Sequence, residues 1–112
     1  MKPLELANRY MKILFSGKEL MRLNNILAGD CKFVGPLYQF NSAQDYIDSL
    51  IENPPIDFEF EILSSYEDKN SACLVYKFTK PGISTTMVQT FEILDNKICE
   101  IKLIFDTKPF TD

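Results

Sequence analysis

Histidine and tryptophan are absent from this 112-residue chain, glycine occurs only four times, and the cysteines number three. Without histidine the commonest general base and metal ligand is missing, and Ser-His or Cys-His nucleophilic pairs are excluded. The glycines are dispersed, so there is no glycine-rich phosphate loop. Neither a metal site nor a cofactor is expected. Cys31, Cys73 and Cys99 lack Cys-x-x-Cys spacing and read as reduced, small apolar fillers, which points to a cytoplasmic protein. No apolar run approaches the roughly 20 residues of a membrane span. Glu5, Asn8 and Arg9 stand where a signal peptide would be apolar. A net charge of −4 argues against nucleic acid or an anionic membrane as partner.

What remains is a folded-protein balance, 46% apolar and 25% charged, at the length of one domain. The domain is expected to span residues 1–112, with a core over 4–106 and a loose tail over 107–112. Pro3 suits a first helical turn. Leu6, Ala7, Tyr10, Met11 and Leu14 follow at helical spacing, so a helix runs to about Phe15 and Gly17 ends it. A second helix is predicted over Lys18–Ala28 on Leu20, Leu23, Ile26 and Leu27. Short extended pieces, Cys31–Val34 and Leu37–Phe40, flank Gly35-Pro36. Ser42 and Asp45 resemble a capping box, so a third helix starts near Ala43 and stops at Asn53-Pro54-Pro55.

Four antiparallel strands complete the chain: Ile56–Leu63, Ser71–Thr79, Ile83–Leu94 and Ile98–Asp106. Pro81-Gly82 is strong turn chemistry, and its even loop pairs Tyr76 with Met87, Leu74 with Gln89 and Ala72 with Phe91. A three-residue break at Asp95-Asn96-Lys97 sets Phe91 against Ile101, Gln89 against Leu103 and Met87 against Phe105. A two-residue loop would mix the faces, and the burial pattern selects the first register. One face then collects Phe58, Phe60, Ile62, Leu74, Tyr76, Phe78, Met87, Gln89, Phe91, Leu103 and Phe105. The other is charged, except for a row of Val75, Val88 and Ile104. Helices followed by a one-sided sheet make an α+β domain.

The helix NRYMKILFSGKE, the Gly-Pro after the first short strand, and VQTFEILDNKICEIKLIFD at the end resemble the nuclear-transport-factor-2-like cone over residues 4–106. Within it they are similar to the SnoaL-like polyketide cyclase and ketosteroid isomerase group. The resemblance implies three helices packed in a curved antiparallel sheet, and it makes Tyr10 and Gln89 the positions to watch. Isomerases of that group pair a tyrosine with a protonated aspartate as an oxyanion hole. Here Tyr10 matches the tyrosine and Gln89 replaces the acid. The resemblance places the isomerase base at Gly35 and the cyclase aspartate at Leu103, so both acids are missing. Asp106 is the remaining carboxylate near the expected mouth.

The candidate ligand pocket is therefore Tyr10, Phe58, Phe60, Leu74, Tyr76, Met87, Gln89, Leu103 and Phe105. Its expected guest is a small, mostly apolar molecule. Gln89 reads equally as a core amide with internal partners, and Tyr10 as a core tyrosine. An isomerase or cyclase with an unusual base, and a filled dimerisation module, are the competing functions. Relatives of this fold dimerise through the outer sheet face, so the Val75–Val88–Ile104 row is expected to join a homodimer, unless Phe110 folds back to cover it.

Overall fold

Pro3 opens α1 (Pro3–Ser16), and Gly17 closes it in the left-handed conformation with φ of 66°. Proline is tolerated at that start because its missing N–H would have no helical partner, and glycine takes positive φ without strain. A Cβ on Gly17 would also stand 3.0 Å from the Pro55 carbonyl oxygen.

The computed structural model describes residues 1–111, and it replaces the expected second helix with something shorter. Leu20–Asn25 forms a 3-10 helix, and from Leu27 the chain is already extended as β1 (Leu27–Val34). Leu20, Leu23 and Ile26 are buried at a spacing of three, the period of a 3-10 helix. Ile98 N–H donates to the Ile26 carbonyl at 2.8 Å, and Leu27 pairs with Ile98 in parallel. A distant strand thus claims the backbone that local periodicity assigns to a helix. The following extended piece shrinks to β2 (Gln39–Phe40). Then α2 (Ala43–Glu52) starts as expected, with Ser42 Oγ accepting from Asp45 N–H at 3.1 Å.

The last four strands are β3 (Glu59–Glu67), β4 (Ser71–Lys80), β5 (Ile83–Leu94) and β6 (Lys97–Ile104). Sheet order is β2-β1-β6-β5-β4-β3, antiparallel except where β1 meets β6. β3 starts and ends later than the expected Ile56–Leu63: Ser64 and Ser65, at the head of the polar stretch Ser64–Asn70 expected to form the turn, belong to the strand. Leu63 is an extra residue between the pairs Ile62↔Tyr76 and Ser64↔Val75. The turn proper is Asp68–Asn70. There the Asp68 carboxylate accepts from Ser71 Oγ at 2.7 Å and from Asn70 N–H at 3.0 Å, which lowers its pKa.

Pro81-Gly82 makes the predicted two-residue turn, with Gly82 at φ 82°, and the β4–β5 register is the expected one. The β5–β6 turn corrects a premise. Its loop holds two residues, Asp95 and Asn96, at φ 52° and 62°, and Leu94 pairs with Lys97. Cys99 then bulges out between the pairs Ile93↔Ile98 and Glu92↔Glu100, its thiol 3.4 Å from the Glu92 carbonyl oxygen. The bulge restores Phe91↔Ile101 and Gln89↔Leu103. The ladder ends at Val88↔Ile104, so Met87 and Phe105 are not paired.

Helices and sheet enclose one core, in which Leu6 and Met11 of α1, Leu23, and Ile47 of α2 meet Phe91, Ile98 and Ile101. The final segment is not a loose tail over its described part. Asp106 Oδ1 accepts from Lys108 N–H at 3.0 Å at the start of α3 (Lys108–Thr111). Phe110 packs edge-on to Phe105, with centroids 5.0 Å apart, and 6.1 Å from Phe78. Phe110 therefore lies on the inner side and leaves the outer row uncovered. Asp112 lies outside the described residues. No helix among them is long and apolar enough to cross a membrane.

Candidate functional site

Gln89 is 1% exposed and is the one buried polar side chain in the core apart from the tyrosines, among the described residues. β5 points it inward between Leu74 and Leu103, where an unpartnered amide would cost about 1–3 kcal/mol. Three tyrosines from three elements supply partners. Tyr76 of β4 donates its hydroxyl to Gln89 Oε1 at 2.8 Å and lies 3.7 Å from Met87 Sδ. The Gln89 side chain also lies beside the Tyr10 phenol of α1, whose pKa it holds down against burial. Tyr10 in turn shares a hydroxyl–hydroxyl hydrogen bond with Tyr46 of α2. A polar string, Tyr76–Gln89–Tyr10–Tyr46, thus crosses an apolar interior as two hydrogen-bonded pairs side by side, and no buried side-chain polar atom among the described residues lacks a partner.

Ring packing fixes the string. Tyr10 meets the edge of Phe91 at 5.4 Å, and Tyr46 stacks on Phe33 at 4.6 Å. Burial pushes the phenols of Tyr10, Tyr46 and Tyr76 well above the ordinary tyrosine range, and Tyr46 raises Tyr10 further. All three are neutral donors at physiological pH. Burial likewise pushes the Cys31 thiol up to about 12, so it is a poor nucleophile.

One side of the string faces a cavity of about 440 Å³ between the sheet, α1 and α2. Of the residues proposed for a pocket, Tyr10, Phe58, Tyr76, Met87, Gln89, Leu103 and Phe105 line it. Phe60 and Leu74 do not. Phe60 is turned onto Phe15 at 4.7 Å, and Leu74 is wholly inside the packed core. The lining also contains Tyr46, Phe33, Lys80 and Phe110, which sequence reasoning missed. Tyr46 stands in the helix that starts near Ala43, where a core tyrosine and a donor look alike in sequence. Lys80 adjoins the Pro81-Gly82 turn, and Phe110 stands in the segment expected as a tail. A surface groove of similar volume, about 460 Å³, lies at the other end beside Met1, Asp95 and Asn96, with no buried polar group in it.

No aspartate or glutamate lines the cavity among the described residues. Gly35 is in the wall, where a Cβ would come 3.1 Å from the Phe33 ring, and Leu103 is apolar. Asp106, the remaining carboxylate considered, is exposed and caps α3 instead.

Neither a family model nor a curated protein matches the chain. Solved structures do. An NTF2-like protein of unknown function from Cytophaga hutchinsonii superposes with a TM-score of 0.86 at 16% identity, over 100% of this chain and 96% of the other. A candidate ketosteroid isomerase from Kribbella flavida gives 0.79 at 19%, over 91% and 76%. A candidate SnoaL-like polyketide cyclase from Jannaschia gives 0.73 at 10%, over 93% and 85%. At these identities the likeness is one of fold, and the chain has the NTF2-like fold, a mixed α+β cone.

Proposed function

We propose that the protein binds a small, mostly apolar molecule carrying a hydroxyl or carbonyl oxygen, seated in the cone with that oxygen on the tyrosine string. The observation that carries this reading is the string itself. Four adjacent polar side chains, hydrogen-bonded in two pairs, abut a mostly apolar cavity of drug-like volume. The Tyr10 and Tyr46 hydroxyls share one hydrogen bond, so one of their two protons is left for a guest. Neutral phenols polarise a ligand oxygen without removing a proton from carbon. The lack of a lining carboxylate favours binding over the isomerase or cyclase chemistry suggested by the candidate roles of the structural relatives.

Calorimetric titration with β-naphthol, an apolar two-ring phenol, tests this. Saturable one-to-one binding is expected, weakened about fivefold in Tyr46→Phe, the worth of one neutral hydrogen bond. Absence of saturable binding by the native protein would sink the reading.

The outer row supports assembly as a twofold homodimer. Val75, Val88 and Ile104 stand side by side on β4, β5 and β6, and Ile104 is 60% exposed. Such a row is self-complementary about a twofold axis near Val88.

A further inference from the structure

Lys80 is the only charged side chain lining the cavity among the described residues, and it has no carboxylate partner there. Its ammonium lies over two mouth aromatics, 5.6 Å from the Phe58 centroid and 5.3 Å from that of Phe110. Ring faces attract a cation, but they leave its N–H donors without acceptors. The neighbouring apolar wall strengthens any pairing made at that point relative to open water. On β4, Lys80 follows Tyr76 by four residues, a strand distance of about 13 Å. A cation and a hydroxyl cluster thus mark the two ends of one apolar space.

We infer that the ligand is an amphipathic monocarboxylate, its anionic end on Lys80 at the mouth and an oxygen at its far end on Tyr46 and Tyr10. This rests on the pocket reading above and specifies its guest. The bland role for Lys80, a charge that keeps the end of a strand soluble, gives no preference for an anion over a neutral analogue.

The test compares ω-hydroxydecanoate with α,ω-decanediol, which has the same length and apolar body but no charge. Calorimetry is expected to show the carboxylate binding native protein about tenfold tighter, the worth of a charge-assisted hydrogen bond. Lys80→Met removes that preference, and Lys80→Arg keeps it. On native protein the preference also shrinks as salt is raised, a readout that needs no variant. Equal affinities on native protein, or a preference that survives Lys80→Met or high salt, overturn the inference. If β-naphthol binds and neither decane probe does, this inference alone fails. If none of the three binds, it falls together with the pocket reading.

Discussion

Val88 and Gln89 adjoin in β5 and point to opposite faces of the same three strands. Inward, Gln89 sits between Leu74 and Leu103 under two helices, with its amide tied to Tyr76 and beside Tyr10. Outward, Val88 sits between Val75 and Ile104, and Phe110 does not cover the row, since it goes to the inner side. The strands are identical for both rows, so the difference lies in what packs against them. Helices convert the inner row into core and cavity wall, and their absence leaves the outer row as a surface. Alternation of side chains decides which residues share a face, and only tertiary packing decides what the face is for.

The contrast should be widest for Phe91→Ala against Ile104→Ala. Phe91 is fully buried against Tyr10, so its truncation is expected to cost about 3–5 kcal/mol in denaturant unfolding. The half-open position of Ile104 makes its truncation a small change in the monomer. Equal losses would erase the distinction between the two faces.

A second test uses pH and touches only the inner face. Burial raises the phenol pKa values of Tyr10, Tyr46 and Tyr76 above the unfolded value of 10.0, so the native state holds these protons more tightly than the unfolded chain. Their contribution to stability is complete below about pH 10 and is lost as pH rises through the folded values. Unfolding free energy should therefore fall in the alkaline range. The phenolate absorbance belonging to these three side chains should grow in step with the loss of helical circular dichroism. Ionisation of all five tyrosines in a still-folded protein would contradict the buried string.

The smallest effect on the fold is expected from Val88→Glu, within about 0.5 kcal/mol for the monomer, because the position faces outward. Its consequence is for assembly. Sedimentation should show a dimer for the native protein and a monomer for the variant, since a dimer would bury an unpaired carboxylate. Binding of β-naphthol should be unchanged. A native monomer at micromolar concentration would end the dimer proposal.

Legibility in the sequence followed the range of the interactions. The inner faces of β4, β5 and β6 were readable because alternation, a Pro-Gly turn and the burial of aromatics are local signals. The helix caps at Ser42 and Gly17 were readable for the same reason. The helix expected over Lys18–Ala28 failed because Ile26 and Leu27 pair with Ile98, more than seventy positions away. The cavity was half legible. Gln89 stood out as a polar residue in an apolar row, whereas Tyr46 meets Tyr10 across 36 positions and nothing in its own neighbourhood announces it. Ser64 and Ser65 misled because small polar residues suit an exposed edge strand as well as a turn.

The hairpin between β5 and β6 obeys a rule of parity. Its two-residue turn is odd by one against the burial pattern, and the single extra residue at Cys99 makes the count even again. Turn and bulge are therefore not two irregularities but one, divided between places three residues apart. Because Cys99 has no partner across the hairpin, its deletion would let Glu100 follow Ile98 in the present pairs and keep Leu103 opposite Gln89. A residue inserted after Asn96, with the two-residue loop and the bulge both kept, would instead shift β6 by one and bring Lys102 where Leu103 now stands. The corner thus tolerates loss of its extra residue, whereas an insertion taken up by the strand rather than by the loop would turn the wall of the cavity outward.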